Sequence, residues 1–168
     1  SWYVDGLTLV DAHRPTNLIQ VGRYDTYAGE GLFDGCWGVY PFFPSGNNIG
    51  SNIPNIANNI TGKLFVLTPT YLRACYLEGN VKNTCTGLGL KGASVVINSL
   101  DPLAFTETGN NGDYKTGQPT PGAFTVIVSK EGYISQTFNV TLTAGEVTEL
   151  NVNLEPVTAF TVTGTVVD

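Results

Sequence analysis

Four aspartates early in the chain are the side chains with the clearest capacity for chemistry: Asp5, Asp11, Asp25 and Asp34. Their carboxylates could bind Ca²⁺, which prefers oxygen ligands. Their spacing matches no EF-hand loop, however, and each lies beside a glycine or in a turn, where aspartate commonly bonds to backbone amides. We therefore predict that they form turns and that the chain has no metal site.

Candidates for catalysis are few. His13 is the single histidine, and it stands in a polar segment between Asp11 and Arg14, where a solvated surface group is expected. Paired carboxylates can hydrolyse glycosides, and the acidic residues that could pair in this way are Glu30, Asp34, Glu78 and Glu107. Nothing in their sequence context sets one pair apart. The sequence therefore predicts no enzymatic activity and no cofactor.

The three cysteines are Cys36, Cys75 and Cys85, so at most one internal disulfide can form. They show no C-x-x-C spacing, which argues against zinc. A straight strand between Cys75 and Cys85 would hold them roughly 30 Å apart at about 3.3 Å per residue, whereas a bridge needs Cα atoms within about 7 Å. We expect a Cys36–Cys75 bridge, with three buried free thiols as the alternative.

Aromatic residues concentrate in the first 74 residues, where Trp2, Trp37 and Tyr40 could stack on the faces of sugar rings. We favour packing of the same residues in a β core, because aromatic side chains bury large apolar areas. Both interpretations stay open at this point.

Two triplets fit the N-glycosylation pattern, at Asn59 and at Asn139. Such triplets also arise by chance in chains rich in Thr and Asn. The alternation of apolar and polar residues around Val140 lets Asn139 face solvent.

The composition excludes several classes of function. Charged residues make up 13 % of the chain and the net charge is −6, with the cations scattered singly, whereas a nucleic-acid interface needs clustered cations. No run approaches the roughly 18 apolar residues of a membrane span. We therefore expect neither a nucleic-acid partner nor a membrane span.

Short strands separated by turns dominate residues 75–156. Apolar and polar residues alternate in the segments 124–129, 138–143 and 147–154, which is typical of strands with one buried and one wet face. Asn111-Gly112 is a strong hairpin dipeptide. The sequence predicts an all-β protein: a β region over 1–74, one antiparallel, Ig-like sandwich over 75–156, and a linker with the first strand of a further repeat over 157–168.

The motifs of residues 75–156 resemble the carboxypeptidase regulatory-like family, whose members are transthyretin-like sandwiches. The residues that carry the resemblance are Leu77-Glu-Gly-Asn-Val, Gly89-Leu-Lys-Gly-Ala-Ser-Val, Asn111-Gly-Asp-Tyr, Pro121-Gly-Ala-Phe-Thr-Val and Gly132-Tyr. Leu90 stands where Pro-Leu is common in the family, and Phe124 replaces its usual tyrosine. The resemblance implies the same sandwich fold.

The first segment resembles the end of an LVIVD-repeat protein, a group of bacterial surface proteins with β-propeller blades. The most specific stretch is Trp37-Gly-Val-Tyr-Pro-Phe-Phe-Pro-Ser-Gly-Asn47. A whole propeller needs at least four blades, so residues 1–74 could supply one or two blades only.

Residues 160–168 repeat the sequence pattern of 76–83, with Gly164 in the place of Gly79. A repeat at a period of about 85 residues is typical of a modular array. We therefore expect a structural or adhesive module of a large bacterial protein at the cell surface or outside the cell. Its partners would be neighbouring β modules of the same chain, identical subunits joined into a fibre, or surface glycans. A carbohydrate-binding accessory module and the C-terminal accessory domain of a secreted peptidase are the alternatives.

Overall fold

The computed structural model describes residues 6–26, 36–40, 42, 48–52, 63–99 and 104–157. Within these ranges the chain forms strands and turns without a helix, so the all-β prediction is confirmed. The strands are β1 Leu7–Asp11, β2 Ile19–Tyr24, β3 Cys36–Tyr40, β4 Asn48–Asn52, β5 Lys63–Leu67, β6 Cys75–Asn83, β7 Ser94–Asn98, β8 Ala104–Glu107, β9 Asp113–Gln118, β10 Gly122–Ser129, β11 Gln136–Leu142, β12 Val147–Glu149 and β13 Val152–Leu154.

These strands form four sheets. β1 and β2 make a two-stranded ribbon, and β3, β4 and β5 make a three-stranded sheet. The other two sheets have four strands each: one has the order β11-β10-β7-β8, and the second has the order β12-β6-β13, with β9 also paired to β6. These two sheets carry the alternating sequences that predict a sandwich.

The chain divides into two compact units. The first consists of Ser1–Tyr76, Gly117–Gly122 and Leu142–Val147, and the second of Leu77–Thr116, Ala123–Thr141 and Thr148–Asp168. In the first unit, β1 pairs antiparallel with β2 and has a bulge between Leu9 and Val10. Ile19, Ala74 and Tyr76 form a small buried cluster there, with Val21 packed against it.

The core of the second unit is built from apolar residues on its strands. Eight of these are fully or almost fully buried: Leu77, Val81, Val95, Ile97, Val126, Val128, Val152 and Leu154. Four others are only half-buried: Phe124, Phe138, Val140 and Leu150. Phe138 and Val140 lie on β11, the last strand of its sheet, so the inward face of that strand is covered from one side only.

One strand pairing departs from the antiparallel expectation. β13 pairs with β6 in parallel, with Val152 opposite Val81 and Leu154 opposite Asn83. Since parallel strands point the same way, the last strand of the sandwich ends beside the end of its first strand. The sandwich therefore has a proximal end, where β6 begins, and a distal end, where β6 and β13 both end.

Candidate functional site

The aromatic residues proposed to stack on sugars are only partly described by the structure. Trp2 and the side chain of Trp37 lie outside the described residues. Tyr40 ends β3 with 54 % of its surface exposed, and its ring meets the ring of Phe42 edge-to-face at 5.7 Å between centroids and 79° between planes. Tyr40 thus lies on the surface, where stacking on a ligand stays a prediction.

The three cysteines are free thiols in the structure. Cys36 and Cys75 are buried, and Cys85 is exposed. The structure therefore shows free thiols where we expected a Cys36–Cys75 bridge, and it differs from the alternative of three buried thiols only at Cys85. The thiol of Cys36 faces the carbonyl oxygen of Gly38 at 3.4 Å. Burial raises the pKa of the Cys75 thiol, which disfavours the thiolate that begins disulfide exchange.

Of the two glycosylation triplets, the structure describes one. Asn139 is exposed on β11, where its side-chain oxygen accepts a hydrogen bond from the Thr125 hydroxyl at 3.2 Å. Asn59 lies outside the described residues. Modification of either residue stays a prediction.

Asp11 is the aspartate whose surroundings the structure defines best. Its carboxylate accepts hydrogen bonds from the backbone N–H of His13 at 2.9 Å, the backbone N–H of Ala74 at 2.9 Å and the hydroxyl of Tyr76 at 2.8 Å. Three donors therefore surround one half-buried carboxylate, and Asp11 ties β1 to the start of β6. The hydrogen bond from His13 is the local backbone bond expected of the early aspartates. The bonds from Ala74 and Tyr76 join Asp11 to residues 63 and 65 positions away.

The charge on Asp11 is stabilised where it lies. Burial alone would raise the pKa of its carboxyl group, but the hydrogen bonds from Ala74, His13 and Tyr76, together with the positive charge of Arg73, hold that pKa below its ordinary value. The pKa of Tyr76 is raised by burial and by the neighbouring carboxylate. The guanidinium carbon of Arg14 lies 5.5 Å from the centre of the Tyr76 ring, within the range of a cation–π contact.

Replacing Asp11 with alanine should destabilise the first unit by about 2–3 kcal/mol, because hydrogen bonds to a charged group contribute this much and their donors would be left unpaired. Because the folded carboxyl has the lower pKa, its contribution is present above the ordinary value of 3.8 and is lost as the pH falls through the folded pKa. Urea unfolding followed between about pH 2 and pH 7 should show this loss.

Asp11→Asn keeps the shape of the side chain and removes its charge, so its stability should fall less steeply in acid than that of the unchanged chain. Glu155→Gln, at an exposed position, is the matched control and should leave the acid profile unchanged. An Asp11→Asn chain with the same acid profile as the unchanged protein would contradict the assignment.

The structure describes two of the four acidic residues considered for catalysis. Glu78 lies on β6 and Glu107 on β8, which belong to different sheets, while Glu30 and Asp34 lie outside the described residues. Within the described ranges, no three His, Cys, Asp or Glu side chains come together in a way that could hold a metal ion. No helix in the part of the chain that the structure describes is long and apolar enough to cross a membrane.

A groove of about 420 Å³ lies in the first unit, and most of the surface that lines it is apolar. Its walls include Leu9, Val21, Leu67 and Leu72, with Tyr24 at one side. The ring centroids of Tyr24 and Phe65 lie 5.9 Å apart, with 58° between the ring planes. The described residues that line the groove include no carboxylate, and its polar members include Arg23, Thr68 and Thr70.

A polar cluster around Asn80 joins the turn before β9 to the middle of β6. The side-chain amide of Asn80 donates to the carbonyl of Asn111 at 2.8 Å and to the carboxylate of Asp113 at 2.7 Å. Its backbone N–H donates to the side chain of Asn151 at 2.9 Å. Sequence reasoning identified the Asn111-Gly112 turn but missed the role of Asn80, because its partners lie more than 30 positions away.

Glycines allow the backbones of the second unit to approach closely. Gly112 has a φ of 84°, the conformation expected of glycine in an Asn-Gly hairpin. A side chain on Gly79 would overlap the carbonyl group of Leu150, and one on Gly89 would overlap that of Asn111. These two glycines are fixed points of the sequence pattern, and the structure shows that each faces a neighbouring backbone.

Residues 76–155 match the family model of the carboxypeptidase regulatory-like domain. This match confirms the resemblance expected for the second part of the chain. Gly79, Gly89 and the Asn111-Gly112 turn are motif residues within this matched segment. The LVIVD-repeat resemblance of residues 1–74 stays a prediction.

Several solved structures of bacterial proteins show limited likeness to the chain. The group B streptococcus pilus 2b backbone protein is 15 % identical, with a TM-score of 0.41 over 70 % of this chain and 52 % of that one. The Bacillus anthracis TIE protein is 14 % identical, with a TM-score of 0.45 over 66 % of this chain and 24 % of that one.

The shaft pilin SpaA from Lactobacillus rhamnosus GG is 10 % identical, with a TM-score of 0.39 over 70 % of this chain and 69 % of that one. The chain spans about half the length of the streptococcal backbone protein that it matches. No curated protein matches the chain. At these identities and TM-scores, the similarity to these structures assigns no function to the chain.

Proposed function

We propose that the chain is a non-enzymatic structural module of a large bacterial protein at the cell surface or outside the cell, in which sandwiches follow one another as a rod. The observation that carries this proposal is the parallel pairing of β13 with β6. Because the first and last strands of the sandwich run the same way, the chain enters at the proximal end and leaves at the distal end. A following sandwich would therefore extend the array away from the first.

The chain is also held in place as it leaves the sandwich. Pro156 forms a bridge with Tyr133, the N–H of Val157 donates to the carbonyl of Gly132 at 2.8 Å, and the N–H of Ile134 donates to the carbonyl of Glu155 at 2.8 Å. The linker therefore has a set direction up to residue 157, as a spacer requires. The repeat of the β6 pattern in residues 160–168 supports a further sandwich directly after it.

A tandem protein tests the rod. Adding residues 84–157 after Asp168 would complete a second sandwich, since residues 160–168 supply the counterpart of β6. β6 has nine residues, which span about 30 Å at 3.3 Å each, and a short linker adds up to about 10 Å. Small-angle X-ray scattering should therefore show a maximum dimension roughly 30–40 Å greater than that of the 168-residue chain.

Gly164→Ala in the tandem protein is the control, because Gly164 corresponds to Gly79, where a Cβ would overlap the Leu150 backbone. This change should prevent the second sandwich from folding and give a flexible extension. A tandem protein of two folded sandwiches that is scarcely longer than the single chain would rule out the rod and favour sandwiches packed side by side.

One observation favours a second function, carbohydrate binding: Tyr40 and Phe42 are both exposed, at 54 % and 77 %. Exposed rings of this kind can stack on sugars. Screening the chain against a glycan array, with Tyr40→Ala as the comparison, would test it. Binding that disappears in the Tyr40→Ala chain would support a carbohydrate-binding accessory module over a passive spacer.

A further inference from the structure

Three exposed aliphatic side chains lie at the distal end of the sandwich. Leu88, Ile134 and Val157 have 69 %, 51 % and 57 % of their surfaces exposed, and together they are called the distal patch. Single exposed apolar residues are ordinary on protein surfaces. All three, however, lie at the end from which the chain leaves the sandwich, and packing within the sandwich leaves more than half of each residue exposed.

Hydrogen bonds place the first member of the distal patch beside the end of the last strand. The carbonyl of Leu88 accepts from the N–H of Asn83, the last residue of β6, at 2.9 Å. The N–H of Thr84 donates to the carbonyl of Leu154, the last residue of β13, at 3.0 Å. Leu88 therefore lies on the turn that caps both parallel strands.

The other two members reach the same end through the linker. The backbone N–H of Val157 donates to the carbonyl of Gly132, and that of Ile134 donates to the carbonyl of Glu155, each at 2.8 Å. The side-chain amide of Asn83, the last residue of β6, donates to the Tyr133 hydroxyl at 3.0 Å. This bond joins the segment 132–134 to the end of β6. The distal patch is therefore assembled from three segments that meet where the chain leaves the sandwich.

We propose that the distal patch seats the proximal end of the next sandwich of the same chain and makes the junction between the two rigid. The inference rests on the proposed function, since its occupant is the following module. The strand pattern resumes at Phe160, three residues after Val157, and three residues span at most about 10 Å. Over so short a linker the effective concentration of the two surfaces is very high, so a small apolar contact is enough to hold them together.

The tandem protein described above allows a direct test. Each of its sandwiches carries one exposed cysteine, Cys85 and its added counterpart, while Cys36 and Cys75 are buried. Spin labels on the two exposed thiols would stand one module repeat apart, roughly 30–40 Å, a distance that pulsed electron paramagnetic resonance measures well. We expect a single narrow distribution of distances.

Leu88→Glu together with Val157→Glu in the first sandwich should widen that distribution at least twofold, since charged side chains would not pack in the junction. The same two changes in the second sandwich, after which no module follows, are the matched control and should leave the width unchanged. In the 168-residue chain the double variant should keep its thermal midpoint, because both side chains are largely exposed.

The mean and the width of the distribution separate the two proposals. A mean well below about 25 Å would mean that the sandwiches lie side by side, which overturns the rod and this junction with it. A mean near the expected repeat with a wide distribution in the unchanged tandem protein, or a width that the double variant does not alter, would leave the rod standing and overturn the junction.

Discussion

Replacing Gly89 with alanine is expected to destabilise the sandwich by at least about 3 kcal/mol, a large part of the total stability of an ordinary domain. Gly89 lies between β6, where it bridges to Lys82, and the Asn111-Gly112 turn. A Cβ at this position would overlap the carbonyl group of Asn111 and approach the backbone nitrogen of Gly112 at 2.9 Å. These atoms belong to backbone held by hydrogen bonds, so they cannot turn aside as the end of a flexible side chain can.

Gly109→Ala in the same hairpin is the matched control, because the nearest atom to its added Cβ would be the Asp113 carbonyl oxygen at 3.6 Å, an ordinary contact. Urea unfolding monitored by far-ultraviolet circular dichroism should show an early transition for Gly89→Ala and a nearly unchanged one for Gly109→Ala. If the two variants unfolded together, the close approach of the turn to Gly89 would be wrong.

Truncating Val126 to alanine should cost about 2–4 kcal/mol, the scale for removing buried aliphatic groups and leaving a cavity. Val126 is fully buried on β10 and pairs with Ile97 of β7. β10 is an inner strand of its sheet, with β11 on one side and β7 on the other. Because neighbouring strands hold the backbone on both sides, the surroundings cannot collapse easily into the space.

Val147→Ala provides the comparison, since Val147 begins β12 and is 42 % exposed. The same loss of two methyl groups should lower the free energy of unfolding there by well under about 1 kcal/mol. Equal losses at the two positions, measured by urea unfolding, would contradict the assignment of Val126 to the core.

Local sequence was enough to predict most strands and turns of the second part of the chain. The alternating segment 147–154 is the exception, because it forms two short strands, β12 and β13, on opposite sides of β6. The alternation in 124–129 and 138–143 marks β10 and β11, and Gly112 in the Asn-Gly turn takes the positive φ that such a turn requires. The family resemblance rested on these same short-range features, and residues 76–155 match the family model. Period and turn chemistry act between near neighbours, so a single sequence displays them directly.

Burial was predicted less well, because it depends on where a strand lies in its sheet. Phe138 and Val140 alternate as cleanly as Val126 and Val128, yet the first pair is half-buried and the second is fully buried. β11 ends its sheet, whereas β10 has a neighbour on each side. This position accounts for part of the difference only, since Leu142 of β11 is buried and Phe124 of β10 is half-buried. Alternation shows which face of a strand turns inward and does not show how many neighbours cover it.

The sequence by itself determined that this protein is built of β strands, which residues turn inward, and that one sandwich follows the pattern of a known family. Only the tertiary structure decided which strands pair, and the parallel pairing of β6 with β13 sets where the chain leaves the sandwich. It also brought Asp11 to Tyr76 across 65 positions and gathered Leu88, Ile134 and Val157 at one end. The reason is physical: closing a long loop costs entropy that rises only slowly with loop length, so the choice among distant partners depends on the packing of the whole unit.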